Sequence, residues 1–273
     1  MKRADQITPA DFQNIRCFLL DMDGTFYLDD ELIDGALEFI DKVKETGRDF
    51  LFLTNNTSKN GDFYVKKLAR LGLEVDRAHV LTAGDATATK LKELYPGKKA
   101  FVLGNEFLVE DLKKAGLVVD NENPDIVVIG FDTTLDYAKM HAVCNFVRAG
   151  LPYIATHPDF NCPTATGFMP DIGAIMAFIE ASTGRRPELI VGKPYTGIVD
   201  AVLERTGLTT AECAMVGDRL YTDIETGRRS GMLSILVMSG ETTEEMLATT
   251  EFIPDLVFGR LVEIAPYLTK LGE

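Results

Sequence analysis

Apolar residues along this chain come in short runs separated by stretches of helical periodicity. Residues 17–20 and 50–53 are continuous apolar blocks, and between them Ala36, Phe39, Ile40 and Val43 recur at helical spacing up to Gly47. That succession predicts a strand, a helix and a second strand. The same grammar returns near the C-terminus: a run at 189–191, a helix around 198–203, a run at 214–216, a helix near Ile224 and a run at 235–237. Both flanks therefore read as parts of one parallel sheet.

The middle of the chain also alternates, with strands expected at 101–103, 126–129 and 153–155 and helices near Leu91, Leu112 and 141–147. It carries enough apolar residues for a core of its own. Its strands do not end in clustered Asp, Asn, Thr or Lys, apart from the segment 156–161. The expectation is an α/β protein with a Rossmann-like parallel-sheet core formed by 1–83 and 183–273, interrupted by an inserted α/β domain at 84–182. No low-complexity tract or repeat separates the two, so the joints are short.

Composition narrows the class of function. The 273 residues hold 28 basic and 42 acidic side chains, a formal charge of −14, which disfavours nucleic acid and anionic membrane as partners. Cys17, Cys144, Cys162 and Cys213 show no CxxC spacing, so neither a zinc site nor a disulfide framework is expected, and a reducing cytoplasm fits best. Residues 1–12 mix charges with Pro9 and do not resemble a signal peptide, and no apolar run reaches the roughly 20 residues that span a bilayer.

In open parallel sheets ligands bind beyond the carboxyl ends of the strands. After the first run comes Asp21-Met22-Asp23-Gly24-Thr25, and after Leu53 comes Thr54-Asn55-Asn56-Thr57. Val191 is followed by Gly192-Lys193-Pro194, and Val216 by Gly217-Asp218, with Asp223 five residues on. Close carboxylates repel unless a cation or proton is shared between them. Oxygen ligands without His or Cys favour Mg²⁺ over zinc, held by Asp21, Asp23 and Asp218, with Asp223 orienting from behind.

Phosphoryl transfer requires an in-line nucleophile, neutralisation of the equatorial oxygens and a proton for the leaving alkoxide. Asp21 can attack as a carboxylate and form an aspartyl phosphate, while Asp23 protonates the leaving oxygen and then activates water. Lys193 and the metal hold the phosphate's charge. Gly24 permits the turn after the strand, and Thr54, Asn55 and Asn56 offer hydrogen bonds to phosphate oxygens. Taken singly, each of these is ordinary turn or cap chemistry. Four on successive strand ends, in this order, are harder to dismiss.

With these residues in place, the chain resembles the haloacid-dehalogenase-like hydrolases. Asp21-Met22-Asp23-Gly24-Thr25 looks like that family's first motif, Thr54 with Asn55-Asn56 its second, Lys193 its third, and Gly217-Asp218 with Asp223 its fourth. An acid/base residue at Asp23 resembles the family's phosphatases rather than its dehalogenases. The long insertion between the second and third motifs resembles the capped branch that includes para-nitrophenyl phosphatases and phosphatases of nucleotides, phosphoglycolate and sugar phosphates. The resemblance implies that the insertion is a cap that chooses the substrate. Within it, Thr156-His157-Pro158-Asp159-Phe160-Asn161 looks like a substrate-facing loop, with His157, Asp159 and Asn161 as contacts for the leaving group; the alternative for His157 is that it braces the loop.

The expected activity is hydrolysis of a small phosphorylated metabolite. Two other readings stand beside it: a phosphotransferase or mutase, in which another hydroxyl replaces water, and a signalling protein switched by phosphorylation of Asp21. The switch has no use for an inserted cap or for Asp23. The sequence leaves a homodimer open. His79 and His141 read as packing residues, and Asp29-Asp30-Glu31 as a solvated face.

Overall fold

The computed structural model describes residues 1–164 and 167–272. Ala165 and Thr166, within 84–182, and Glu273, within 183–273, lie outside the described residues. The chain divides into two compact units: Met1–Thr54 with Val65–Leu81 and Val202–Glu273, and Asn55–Tyr64 with Thr82–Ala201. Among the described residues no helix is long and apolar enough to cross a membrane.

The first unit is built on a six-stranded sheet in the order Leu256–Phe258, Leu233–Val237, Cys213–Gly217, Cys17–Leu20, Asp49–Thr54 and Val80–Thr82. Cys17–Leu20 has a parallel partner on each side, with Leu20 opposite both Val216 and Phe52. All four of its residues are buried. A strand covered on both faces has no polar side to present, which is why its sequence is continuously apolar rather than alternating. The helix Ala36–Glu45 buries Ala36, Phe39, Ile40 and Val43, the face its spacing predicts, and the Phe39 ring meets Phe18 edge-on at 5.4 Å.

Arg48, buried at the turn into Asp49–Thr54, donates to the carbonyls of Ile15 at 2.9 Å and Phe12 at 3.2 Å and also to that of Thr269. One planar guanidinium thereby ties together backbone acceptors from both chain ends; Phe12 O also accepts from the Ile15 N–H at 3.1 Å.

The second unit carries a five-stranded, all-parallel sheet in the order Leu189–Ile190, Tyr153–Ala155, Ile126–Ile129, Lys99–Leu103 and Val118–Val119. Leu103, Val127, Ile129 and Tyr153 pack with Val143 of the helix Tyr137–Arg148 and Ile172 and Ile179 of the helix Ile172–Thr183. Asn105, Asp136 and Asp171 cap the N-termini of three helices through their side chains. One strand departs from expectation: Leu189–Ile190, read from sequence as part of the sheet that carries Asp21, pairs with Tyr153–Ala155 in this second sheet. A two-residue ladder with both positions half-buried carries too little pattern to declare its partner.

Candidate active site

Parallel register brings the first two acidic positions of the first unit together. Cys17–Leu20 and Cys213–Gly217 run side by side, and the Asp21 N–H donates to Val216 O at 2.9 Å, so Asp21 and Asp218 leave adjacent strand ends in the same direction. Beyond Asp21 the chain turns sharply. Met22 O accepts from the N–H groups of Phe26 and Tyr27, and Gly24 donates to Tyr27 O at 2.8 Å with φ of +82°. Thr54 is the buried last residue of Asp49–Thr54.

Asp218 and Asp223 are held by close packing against glycines. A Cβ on Gly240 would lie 2.0 Å from Asp218 Oδ2, one on Gly24 2.5 Å from the same atom, and one on Gly217 2.2 Å from Asp223 Cγ. The turn Leu220–Ile224 is a π-helical turn leading into the helix Glu225–Ser230. Its wider winding swings Asp223 back toward its own strand end, where Asp223 Oδ2 accepts from the Arg219 N–H at 3.1 Å. Asp218 Oδ2 accepts from the Glu241 N–H at 2.7 Å.

Carboxylate oxygens of Asp21, Asp218 and Asp223 all lie within 4.8 Å of one another, and all three residues are buried. Asp23 stands outside that group. Burial, then the charges of Asp21 and Asp223, push the Asp218 carboxyl up to about 8, with Arg219 and the Glu241 N–H opposing. Asp23 is also raised, by burial first and then by Asp21, against the pull of Lys67 and Arg219. Burial would lower Arg219, but the three carboxylates outweigh it and hold the guanidinium above its usual range.

The donor set suits a hard divalent cation. It is all oxygen, it repels itself without a positive charge, and Asp218 Oδ1 is buried without a hydrogen-bond partner. A cation of that kind would satisfy the atom and relieve the repulsion together.

The remaining predicted residues belong to the second unit. Lys193 is buried, and its main chain is gripped by the Asn55 amide: Lys193 N–H donates to Asn55 Oδ1 at 2.8 Å while Asn55 Nδ2 donates to Lys193 O at 2.9 Å and to Asp159 Oδ2 at 3.1 Å. His157 has no exposure, its Nδ1 3.5 Å from Asp159 Oδ2 and its Nε2 3.7 Å from Asp171 Oδ1. Asn56 Oδ1 accepts from the N–H and hydroxyl of Ser58, closing a local turn. Asn161 opens the hairpin strand Asn161–Thr164 and is exposed.

Sequence reading passed over Arg219, Gly240 and Glu241. Applying the strand-end rule to the run at 235–237 would have found the last two, since Ser239-Gly240-Glu241 follows it closely. Arg219 stood between two residues already singled out. His79 packs against Phe50 with ring centroids 5.1 Å apart, and His141 is exposed and hydrogen-bonded to Asn145 at 3.1 Å.

Two family models match the chain: "Haloacid dehalogenase-like hydrolase" over residues 18–118 and a HAD-hydrolase-like model over 190–264. An acid sugar phosphatase of Staphylococcus aureus is 38% identical over 256 residues, covering 93% of this chain and 98% of its own length. Among solved structures, a 4-nitrophenylphosphatase from Thermotoga maritima is 48% identical with a TM-score of 0.92, covering 94% of this chain and 98% of that one. A p-nitrophenyl phosphatase from Archaeoglobus fulgidus is 32% identical with a TM-score of 0.88, covering 93% and 99%.

Proposed function

Because this chain belongs to the haloacid dehalogenase-like hydrolases and is a phosphatase of that family, we propose that it hydrolyses small phosphomonoesters, sugar phosphates foremost, through an aspartyl phosphate on Asp21. The observation that carries this reading is the gathering of Asp21, Asp218 and Asp223 beside an acid, Asp23, whose proton is held more tightly than usual. Sugar phosphates are put first because of the name borne by the Staphylococcus aureus relative, with para-nitrophenyl phosphate as the convenient substrate.

In the proposed reaction an Asp21 carboxylate oxygen forms a bond to phosphorus as the ester P–O bond breaks, and Asp23 gives its proton to the departing oxygen. Asp23, now a carboxylate, takes a proton from a water that attacks the phosphorus, and inorganic phosphate leaves as Asp21 is restored. The raised Asp23 carboxyl suits the first half, because burial and the Asp21 charge favour its protonated form, the form that can serve as an acid. Lys193, Thr54, the Asn56 amide and the main-chain N–H of Asn55, whose side-chain hydrogens go to Lys193 O and Asp159 Oδ2, are proposed to meet the phosphate, and Gly24 to leave room for it. Mg²⁺ is the ion proposed for Asp21, Asp218 and Asp223, where it would supply positive charge against the phosphate.

The segment 84–182, which falls within the second unit, is proposed to act as the cap that selects the leaving group. Cytoplasmic residence is proposed from the buried thiols of Cys17, Cys144 and Cys213, which carry no disulfide.

The test is phosphate release from sugar phosphates, nucleotides, phosphoglycolate and para-nitrophenyl phosphate, with Mg²⁺ or with EDTA. Metal-dependent release led by sugar phosphates is expected. Release equal in both conditions would reject the metal, and transfer to an added alcohol without net hydrolysis would make the protein a phosphotransferase.

A further inference from the structure

We propose that Asp159, backed by His157, is a positioning residue for Lys193 that acts through the Asn55 amide. The proposal rests on the reading of Lys193 as the phosphate's counter-charge and adds what sets that lysine in place. Asn55 grips the Lys193 main chain through two hydrogen bonds, with oxygen toward its N–H and nitrogen toward its carbonyl. An amide rotated by half a turn would set donor against donor and acceptor against acceptor. The second hydrogen of Asn55 Nδ2 goes to Asp159 Oδ2, a carboxylate that can only accept, so Asp159 permits one orientation of the amide.

The surroundings favour an orienting role over a ligand contact. Asp159 is buried, its Oδ1 has no hydrogen-bond partner, and its own N–H faces His157 Nδ1 at 3.4 Å. His157 is sealed completely, its ring between the carboxylates of Asp159 and Asp171. A buried carboxylate with half its acceptor capacity unused is poor value for stability alone. The neighbouring backbone is equally tight, since a Cβ on Gly192 would lie 2.6 Å from Asn55 Oδ1 and 2.9 Å from His157 Cβ. Lys193 therefore starts from a main chain fixed on both sides.

The experiment compares Asp159→Asn, Lys193→Ala and their combination on para-nitrophenyl phosphate and a hexose phosphate. Asp159→Asn should lower kcat by about 10–100-fold, by a similar factor on both substrates, with KM changed less than about threefold, the scale of loss for a displaced catalytic group. In the Lys193→Ala background the same change should cost less than about threefold, because its effect runs through that side chain. The exchanged pair Asn55→Asp with Asp159→Asn should recover part of the loss of Asn55→Asp alone, since donor and acceptor are again matched between the two side chains while the Lys193 carbonyl still lacks its donor.

Reactivity of the Lys193 amine toward acetic anhydride, read by mass spectrometry, gives a measure independent of turnover and should rise in Asp159→Asn. Wild-type kcat with unchanged labelling in Asp159→Asn would overturn the proposal. So would losses that multiply in the combined variant, or that differ more than about tenfold between substrates, the signature of a direct leaving-group contact. Absence of Asp21-dependent turnover in the wild type would instead reject the reading of the site, with labelling still deciding the brace.

Discussion

A methyl group at Gly240 would sit 2.0 Å from Asp218 Oδ2, inside any stable contact, and the crowded atom belongs to a carboxylate already fixed by the Glu241 N–H. Gly240→Ala should therefore displace Asp218 and weaken Mg²⁺ activation, lowering turnover by about 10²-fold, as misplacement by an ångström does elsewhere. A Mg²⁺ titration of activity checks it, with near-wild-type half-saturation counting against the packing argument. Asp23→Asn should slow the phosphorylation step more for a hexose phosphate than for para-nitrophenyl phosphate, because the nitrophenolate departs without a proton; about 10²–10⁴-fold is the expected loss for the poor leaving group. Single-turnover rates on the two substrates make the comparison, and equal losses would remove Asp23 from the acid role. Lys193→Ala should cost roughly 3–4 kcal/mol of transition-state stabilisation, the scale for one removed electrostatic donor.

At the scale of elements, the strands and helices that deliver chemistry were legible where the pattern is local. The run at 17–20 is apolar throughout because both faces are covered, and the helix face of Phe39 and Val43 was written in its spacing. What spacing does not carry is partnership. Leu189–Ile190 looked like any other short apolar run, yet its ladder belongs with Tyr153–Ala155. The π-helical turn at Leu220–Ile224 is likewise unwritten, since a single widened turn leaves no periodicity to read, although it is what aims Asp223. Arg48 joins elements far apart in sequence through three carbonyls. Arg48→Met should remove the side-chain donor of the Ile15 carbonyl and destabilise the protein by about 1–3 kcal/mol, the cost of one buried group left unpaired. Urea unfolding measures it, and a midpoint equal to wild type would contradict that account.

For the whole molecule, the motif residues were found in sequence because strand ends advertise them: Asp21, Thr54, Lys193 and Asp218 each follow an apolar run. The packing that holds them was not, because Gly240 against Asp218 and Asn55 against Asp159 are meetings of segments far apart in the chain. The substrate-facing roles expected of His157 and Asp159 rest on a polar loop; both side chains are buried, and polarity alone does not tell a residue that touches a ligand from one that stands behind it. The net charge of −14 makes the same point at larger scale. A phosphorylated substrate is repelled by the molecule at long range, which places the weight of binding on local positive charge, the role proposed for Lys193 and Mg²⁺.

In the proposed reaction Asp21 carries the phosphoryl group. Acid-quenched single turnover with ³²P-labelled para-nitrophenyl phosphate in the presence of Mg²⁺, followed by peptide mapping, tests it most directly. The label should appear on the Asp21 peptide, decay as phosphate is released, and be absent together with turnover in Asp21→Asn. Undiminished phosphate release by Asp21→Asn, with no covalent label at any time in the wild type, would contradict it.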